Sequence, residues 1–147
     1  MTDSLSSIAH PILGELLWDS KRSVWSVRGF IHAGKRFTVI IKPGKSEALA
    51  FLENAARLFP RLLEAEPDIL NQAIRTKLLE TYNASWRQDD NVLTPESLGS
   101  SLKLSLVEFA SVFPVTLWYG AGKLFGGHDV AILLDEELQY QKIELRG

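Results

Sequence analysis

Cysteine is absent from this 147-residue chain. Disulfides and thiolate metal sites are therefore excluded. Histidine is scarce: His10, His32 and His128 are the only three, and their spacing matches no metal-ligand pattern. Also missing is an apolar run near the ~20 residues that a membrane span needs. The opening Met1-Thr2-Asp3-Ser4-Leu5-Ser6-Ser7 lacks the basic start and apolar core of a secretory signal. The expectation is a cytoplasmic protein that binds no membrane and no cofactor. A formal net charge of −2 gives no global field toward nucleic acid. One absence is local: from Lys21 to Ser46 there is no acid, while Lys21, Arg22, Arg28, Lys35, Arg36, Lys42 and Lys45 are basic.

What is present is ordinary for a globular protein, with 46% hydrophobic and 23% charged residues. The length suits one domain with one proper core. Residues 1–10 read as a flexible tail and 11–147 as the domain. The organising stretch is Val115 to Leu134, two β-prone runs around Gly120, Gly122, Gly126 and Gly127. Val115–Tyr119 and Val130–Leu134 read as neighbouring central strands, joined by a tight hairpin with a bulge.

Ahead of this stretch, Ile12–Trp18, Val24–Ile31 and Phe37–Ile41 have the period-two pattern and short turns of an antiparallel meander. In the second of these, Trp25, Val27, Gly29 and Ile31 share one predicted face. Leu49, Leu52, Ala56, Phe59 and Leu63 form a helical stripe that Pro60 is expected to end or kink near Phe59. Asp68 is a candidate cap for a second helix, with Leu70, Ile74, Leu78 and Tyr82 on one face. Thr94-Pro95-Glu96 starts a short third helix. Strands over Leu102–Val107 and Leu138–Leu145 complete the pattern. Blocked strands and helices predict an α+β fold: a mixed, mainly antiparallel sheet with an N-terminal three-stranded meander, central helices, four C-terminal strands, and helices on one face.

Chemistry is thinly signalled. Gly120-Ala121-Gly122-Lys123 lacks the spacing and following helix of a phosphate loop and reads as structural. His128-Asp129 heads a buried strand and could serve as a base or metal ligand. Neighbours on a strand point to opposite faces, however, so the pair does not converge on one atom unless a bulge re-aims it. Gly126, Gly127 and His128 are read as a structural turn, the imidazole bonding within the glycine loop. Asp135, Glu136 and Glu137 read as a solvated acidic turn. The basic run reads as a solvated face or as a docking surface for an acidic partner, with nucleic acid as the remaining alternative. On the docking reading, Arg22, Arg28, Lys35 and Arg36 are candidate contacts on the basic side, and Asp89, Asp90, Glu136 and Glu137 on the acidic side.

Taken in order, Leu13-Gly14-Glu15-Leu16, Trp25, Tyr82-Asn83-Ala84-Ser85-Trp86, Leu93-Thr94-Pro95-Glu96 and Leu124-Phe125-Gly126-Gly127-His128 resemble the bacterial domain-of-unknown-function family 2262. The likeness runs from about Pro11 to Gly147. It implies a small cytosolic domain with no established reaction. Domains similar to it are associated with immunity proteins, which bind and block a cognate toxin. It supplies no catalytic residues. The first functional reading is thus a non-enzymatic protein-binding domain that neutralises a toxin or secretion-system effector. The alternatives are a small hydrolase or transferase using His128, and a regulatory domain that forms a homodimer through a sheet edge.

Overall fold

The computed structural model describes residues 7–88, 90 and 92–147. Its framework is one sheet of eight strands in the sequential order β1 to β8. They are β1 (Ile8–His10), β2 (Gly14–Asp19), β3 (Val24–His32), β4 (Lys35–Lys42), β5 (Lys103–Ala110), β6 (Val115–Gly120), β7 (Asp129–Leu134) and β8 (Tyr140–Arg146). Only β4 and β5 pair in parallel; every other neighbouring pair is antiparallel. A parallel pair needs a crossover. The helical block between residues 48 and 101 supplies it, so the fold is α+β with a mixed, mainly antiparallel sheet.

The N-terminal meander has four strands, because Ile8–His10 belongs to the sheet and not to a tail. His10 secures this edge. Its Nδ1 accepts the Ile12 backbone N–H at 3.1 Å, which leaves the Nε2 proton to be donated to Glu53, also at 3.1 Å.

The predicted face of the second meander strand is correct only in its first half. Trp25 and Val27 point into the core, but the register with β4 slips between Val27 and Phe30, where Arg28 and Gly29 stand opposite Thr38 alone. The extra residue is accommodated at Gly29, whose φ is +72°. A one-residue slip exchanges the faces of a strand. Phe30 therefore turns inward onto Phe37 and Phe59, and Ile31 faces solvent.

The expected break at Pro60 does not occur. Helix α1 runs unbroken from Ala48 to Ala73, through both Pro60 and Pro67. Each proline removes one N–H and crowds the carbonyl four residues back, at a cost of about 3 kcal/mol. Both prolines lie on the exposed side; the carbonyls four residues back belong to Ala56, which is buried, and Leu63, which is half-buried. The opposite side buries Leu52, Ala55, Ala56, Leu58, Phe59, Leu62, Ile69 and Ala73. Burying a single large apolar side chain stabilises by about 1.5–3 kcal/mol, so docking on the sheet outweighs the local defects. Glu47, not Ser46, caps the helix, accepting the Ala50 N–H at 2.6 Å.

No second helix begins at Asp68, because the chain stays helical to Trp86. Beyond α1 lie a π-helical turn (Ile74–Leu78), the single turn α2 (Leu79–Thr81) and a second π-helical turn (Tyr82–Trp86). The cause is a strict four-residue repeat: Leu70, Ile74, Leu78, Tyr82, Trp86. In an α-helix of 3.6 residues per turn, each step of four overshoots by about 40°. The wider π turns absorb the excess and keep Ile74, Leu78 and Tyr82 buried. Helix α3 (Pro95–Ser101) starts on a capping box between Thr94 and Ser97.

β6 and β7 are adjacent and antiparallel, as predicted, with Val115 opposite Leu134 and Tyr119 opposite Val130. Their connection is not a tight hairpin. Residues 121–128 form three linked turns, closed by the N–H groups of Leu124, Gly126 and His128 on the carbonyls of Ala121, Lys123 and Phe125. The loop plugs the core with Phe125, which is fully buried against Tyr82 and Trp86.

Candidate functional site

Strand register divides the charged candidates between two ends of the sheet. The row Trp25, Ile41, Phe109, Val115, Leu134 marks one end. Beyond it lie the β2–β3 turn with Arg22 and the β7–β8 turn with Glu136 and Glu137. The row Leu104, Tyr119, Val130, Leu145 marks the other end, together with the β3–β4 hairpin that carries Lys35 and Arg36. Nine residues of β3 span roughly 30 Å, beyond a Debye length of about 8 Å. The basic run therefore does not form one patch. Arg22 sits in a turn organised by Asp19, whose Oδ1 accepts the Lys21 and Arg22 N–H groups. Lys42 is paired with Glu108 at 2.8 Å. Glu136 and Glu137 are exposed; the turn is built instead by Asp135, which accepts from Glu137 N, Gln139 N and Gln141 Nε2. Asp90 is exposed and Asp89 lies outside the described residues.

Arg28, Lys35 and Arg36 do come together, and a residue distant in sequence joins them. The parallel pairing of β4 with β5 sets Lys103 beside the start of β4. Arg28, Arg36 and Lys103 line one cleft of about 580 Å3 with Gly29, Thr38, Ser105 and Gly120. Lys35, Arg36 and Lys103 line a second of about 510 Å3 with Gly34, Gly99 and Ser100. Lys35, Gly99 and Ser100 are shared with a third of about 490 Å3, which reaches Glu66, Arg75 and Glu96. The second cleft shares walls with each of the other two, and together they make up the groove region around the mouth between β4 and β5. Gly29 also makes room here: a Cβ at its position would lie 3.2 Å from Arg36 Nε. The Arg36 guanidinium thus lies across the bulged strand. Among the described residues, Arg28, Arg36 and Lys103 have no ion pair within 4.0 Å.

In the wall of the third cleft is Glu66, a carboxylate only 6% exposed. Its Oε2 accepts the Tyr119 hydroxyl at 2.6 Å, and its Oε1 faces Lys35 Nζ at 3.8 Å. Burial, and next the Glu66 charge and hydrogen bond, hold the Tyr119 phenol far above its ordinary range. Tyr119 therefore remains a neutral donor. Beyond Glu66, Arg75 spans from Asn71 to Glu96, at 3.0 and 3.2 Å, and ties the first π-helical turn to α3.

His128 lies at the same end of the sheet but outside this groove. Its ring meets Trp86 edge-on at a centroid distance of 5.9 Å. Its Nδ1 is buried without a hydrogen-bond partner, so the expected bond into the glycine loop is not formed. Gly126 and Gly127 have φ values of +62° and +85°, and a Cβ on Gly126 would lie 3.0 Å from Trp86 Cζ3. His32 is exposed on the β3–β4 hairpin.

Sequence reading passed over Glu66, Tyr119 and Lys103 as a set. Glu66 had a signal: it continues the buried stripe Phe59, Leu62, Glu66, Ile69, Ala73 at spacings of three and four. Tyr119 likewise ends the inward row Val115, Leu117, Tyr119. Lys103 had none, since only the crossover brings it to β4.

A family model described as an uncharacterized protein conserved in bacteria matches residues 10–145. No curated protein and no solved structure matches the chain.

Proposed function

The chain belongs to the bacterial family DUF2262, and from that premise we propose that it is a non-enzymatic protein-binding domain: a cytoplasmic immunity protein that binds and neutralises a cognate toxin. One observation carries this reading. On a chain of net charge −2, exposed Arg28, Arg36 and Lys103 crowd one groove with no carboxylate within ion-pair distance among the described residues. Neighbouring like charges repel, and an acidic partner relieves that repulsion while being steered to the site. His128 gives little support to a hydrolase or transferase. The ring is half-buried with its Nδ1 enclosed beside Trp86, and among the described residues no side-chain hydrogen bond or ion pair joins it to the second titratable group that acid–base chemistry needs.

The mechanism is steric: the domain occupies the toxin surface that would otherwise meet its target. A toxin gene is expected beside this one, and the test is co-expression with that gene's product. Wild-type protein should protect the cells and co-purify with the toxin. Arg36→Glu combined with Lys103→Glu should abolish both, whereas Lys21→Glu with Lys45→Glu, at the other end of the sheet, should abolish neither. If the wild type gives neither a complex nor protection, the reading is wrong.

A further inference from the structure

The groove has a second property that surface charge does not account for. The parallel ladder between β4 and β5 begins only at Thr38 opposite Leu106. Lys35–Phe37 of β4 extend past this point, paired on their outer side with β3. Lys103 and Leu104 of β5 extend past it too, paired on their outer side with Gly120 and Tyr119. Between them the two strands stand without a ladder partner, and the clefts lined by Arg36, Lys103 and Leu104 lie here. Two deviations flank the mouth. One is the Gly29 bulge in β3; the other is a register shift in β5 between Leu104 and Leu106, where the Ser105 hydroxyl is turned away to the Trp118 carbonyl at 3.1 Å. An inner strand edge left without a partner presents backbone N–H and C=O groups along one line.

We propose that this mouth takes an extended, acidic segment of a protein partner, which pairs through its backbone with the free edge of β4 or β5 and sets its carboxylates against Arg28, Arg36 and Lys103. The proposal rests on the protein-binding reading above and specifies the occupant of its groove. Strand addition to an open edge supplies affinity through main-chain bonds, and side chains on alternate positions supply selectivity. The cations stand on both sides of the mouth, Arg28 and Arg36 on the β3–β4 side and Lys103 on the β5 side, so one row of carboxylates meets both. A nucleic acid fits poorly. The one aromatic side chain on the groove walls is Phe37, which is 3% exposed and offers no stacking face. A polyphosphate chain that continued along the groove would also meet the carboxylates of Glu66 and Glu96.

The experiment is fluorescence anisotropy on the full chain, with a short labelled peptide of alternating aspartate and threonine as probe. Wild-type protein should bind it in low salt, and more weakly as salt rises. Arg36→Glu with Lys103→Glu should lose about tenfold or more in affinity; Lys21→Glu with Lys45→Glu should lose nothing. A version of the peptide N-methylated at alternate residues, with its charge intact but its donors removed, should bind about tenfold more weakly. The variants replace exposed side chains, and circular dichroism confirms that each is folded. The proposal is overturned if the wild type does not bind the peptide, if both charge variants lose equally, if the N-methylated peptide binds as well, or if an oligothymidylate binds more tightly. If the peptide fails while the groove variant still protects cells from toxin, the slot is wrong and the binding reading survives on another face. If protection is also missing in the wild type, both fall.

Discussion

At the residue scale the Glu66–Tyr119 bond is a buried side-chain contact that is costly to lose. A carboxylate buried to this extent needs its donor, and removing one partner leaves the other desolvated and unsatisfied. Tyr119→Phe is expected to destabilise the fold by about 1–3 kcal/mol in urea unfolding. Tyr119→Phe with Glu66→Leu should recover part of that loss, because no buried acceptor is then stranded. Burial of the same phenol, and next the Glu66 charge and bond, sets an alkaline limit. In the unfolded chain the Tyr119 phenol ionises near its ordinary value of about 10, whereas in the fold it is held neutral far above that. Its contribution is therefore complete below about pH 10 and declines as pH rises further toward the folded value. Unfolding free energies measured across that range should fall less steeply in Tyr119→Phe than in the wild type. An equal slope in both would contradict the assignment. Gly126 is the other position where one atom decides. Alanine there would meet Trp86 Cζ3 at 3.0 Å from a backbone held at φ +62°. A loss of about 1–3 kcal/mol should appear in thermal melts, with a shift in tryptophan emission.

At the element scale, the long helix shows which forces prevail. Pro60 and Pro67 are local defects on the solvent side of α1, and packing of the opposite side overrides them. Pro60→Ala should restore one backbone bond without disturbing the core. It is expected to raise stability by about 1–3 kcal/mol, readable as a higher Tm; a lower Tm would mean that the proline fits a bend the packing requires. The π-helical turns follow the same logic, with burial selecting the winding that keeps every fourth residue inward. Much of this was legible beforehand. The α+β class, the meander, the β6–β7 pair and the Thr94 cap all follow from period, propensity and capping chemistry. The bulge at Gly29 was not, because a glycine in a strand pattern does not announce its φ. Neither was the continuity of the helix, since proline rules describe a helix without a sheet beneath it. Ile8–His10 was missed because a three-residue edge strand has too little periodicity to read.

For the whole molecule, the decisive fact is how the sheet orders its charge. The sequence offered one basic run; the fold cuts it into two ends and rebuilds half of it with Lys103 from across the crossover. Of the candidate contacts, Arg28, Lys35 and Arg36 lie together, while Arg22, Glu136 and Glu137 lie at the opposite end. Linear charge cannot report this, because an extended strand carries Arg22 and Lys35 to opposite ends, while the β3–β4 hairpin brings Lys42 back to the end where Arg22 lies. The partner is expected to engage the β4–β5 mouth. The most direct test is amide chemical-shift mapping of the isotopically labelled chain against its co-expressed toxin. The largest shifts are expected at Arg28–Thr38, Gly99–Ser105 and Gly120. Shifts centred instead on Lys21–Ser23 and Asp135–Gln139, with the mouth unmoved, would contradict it.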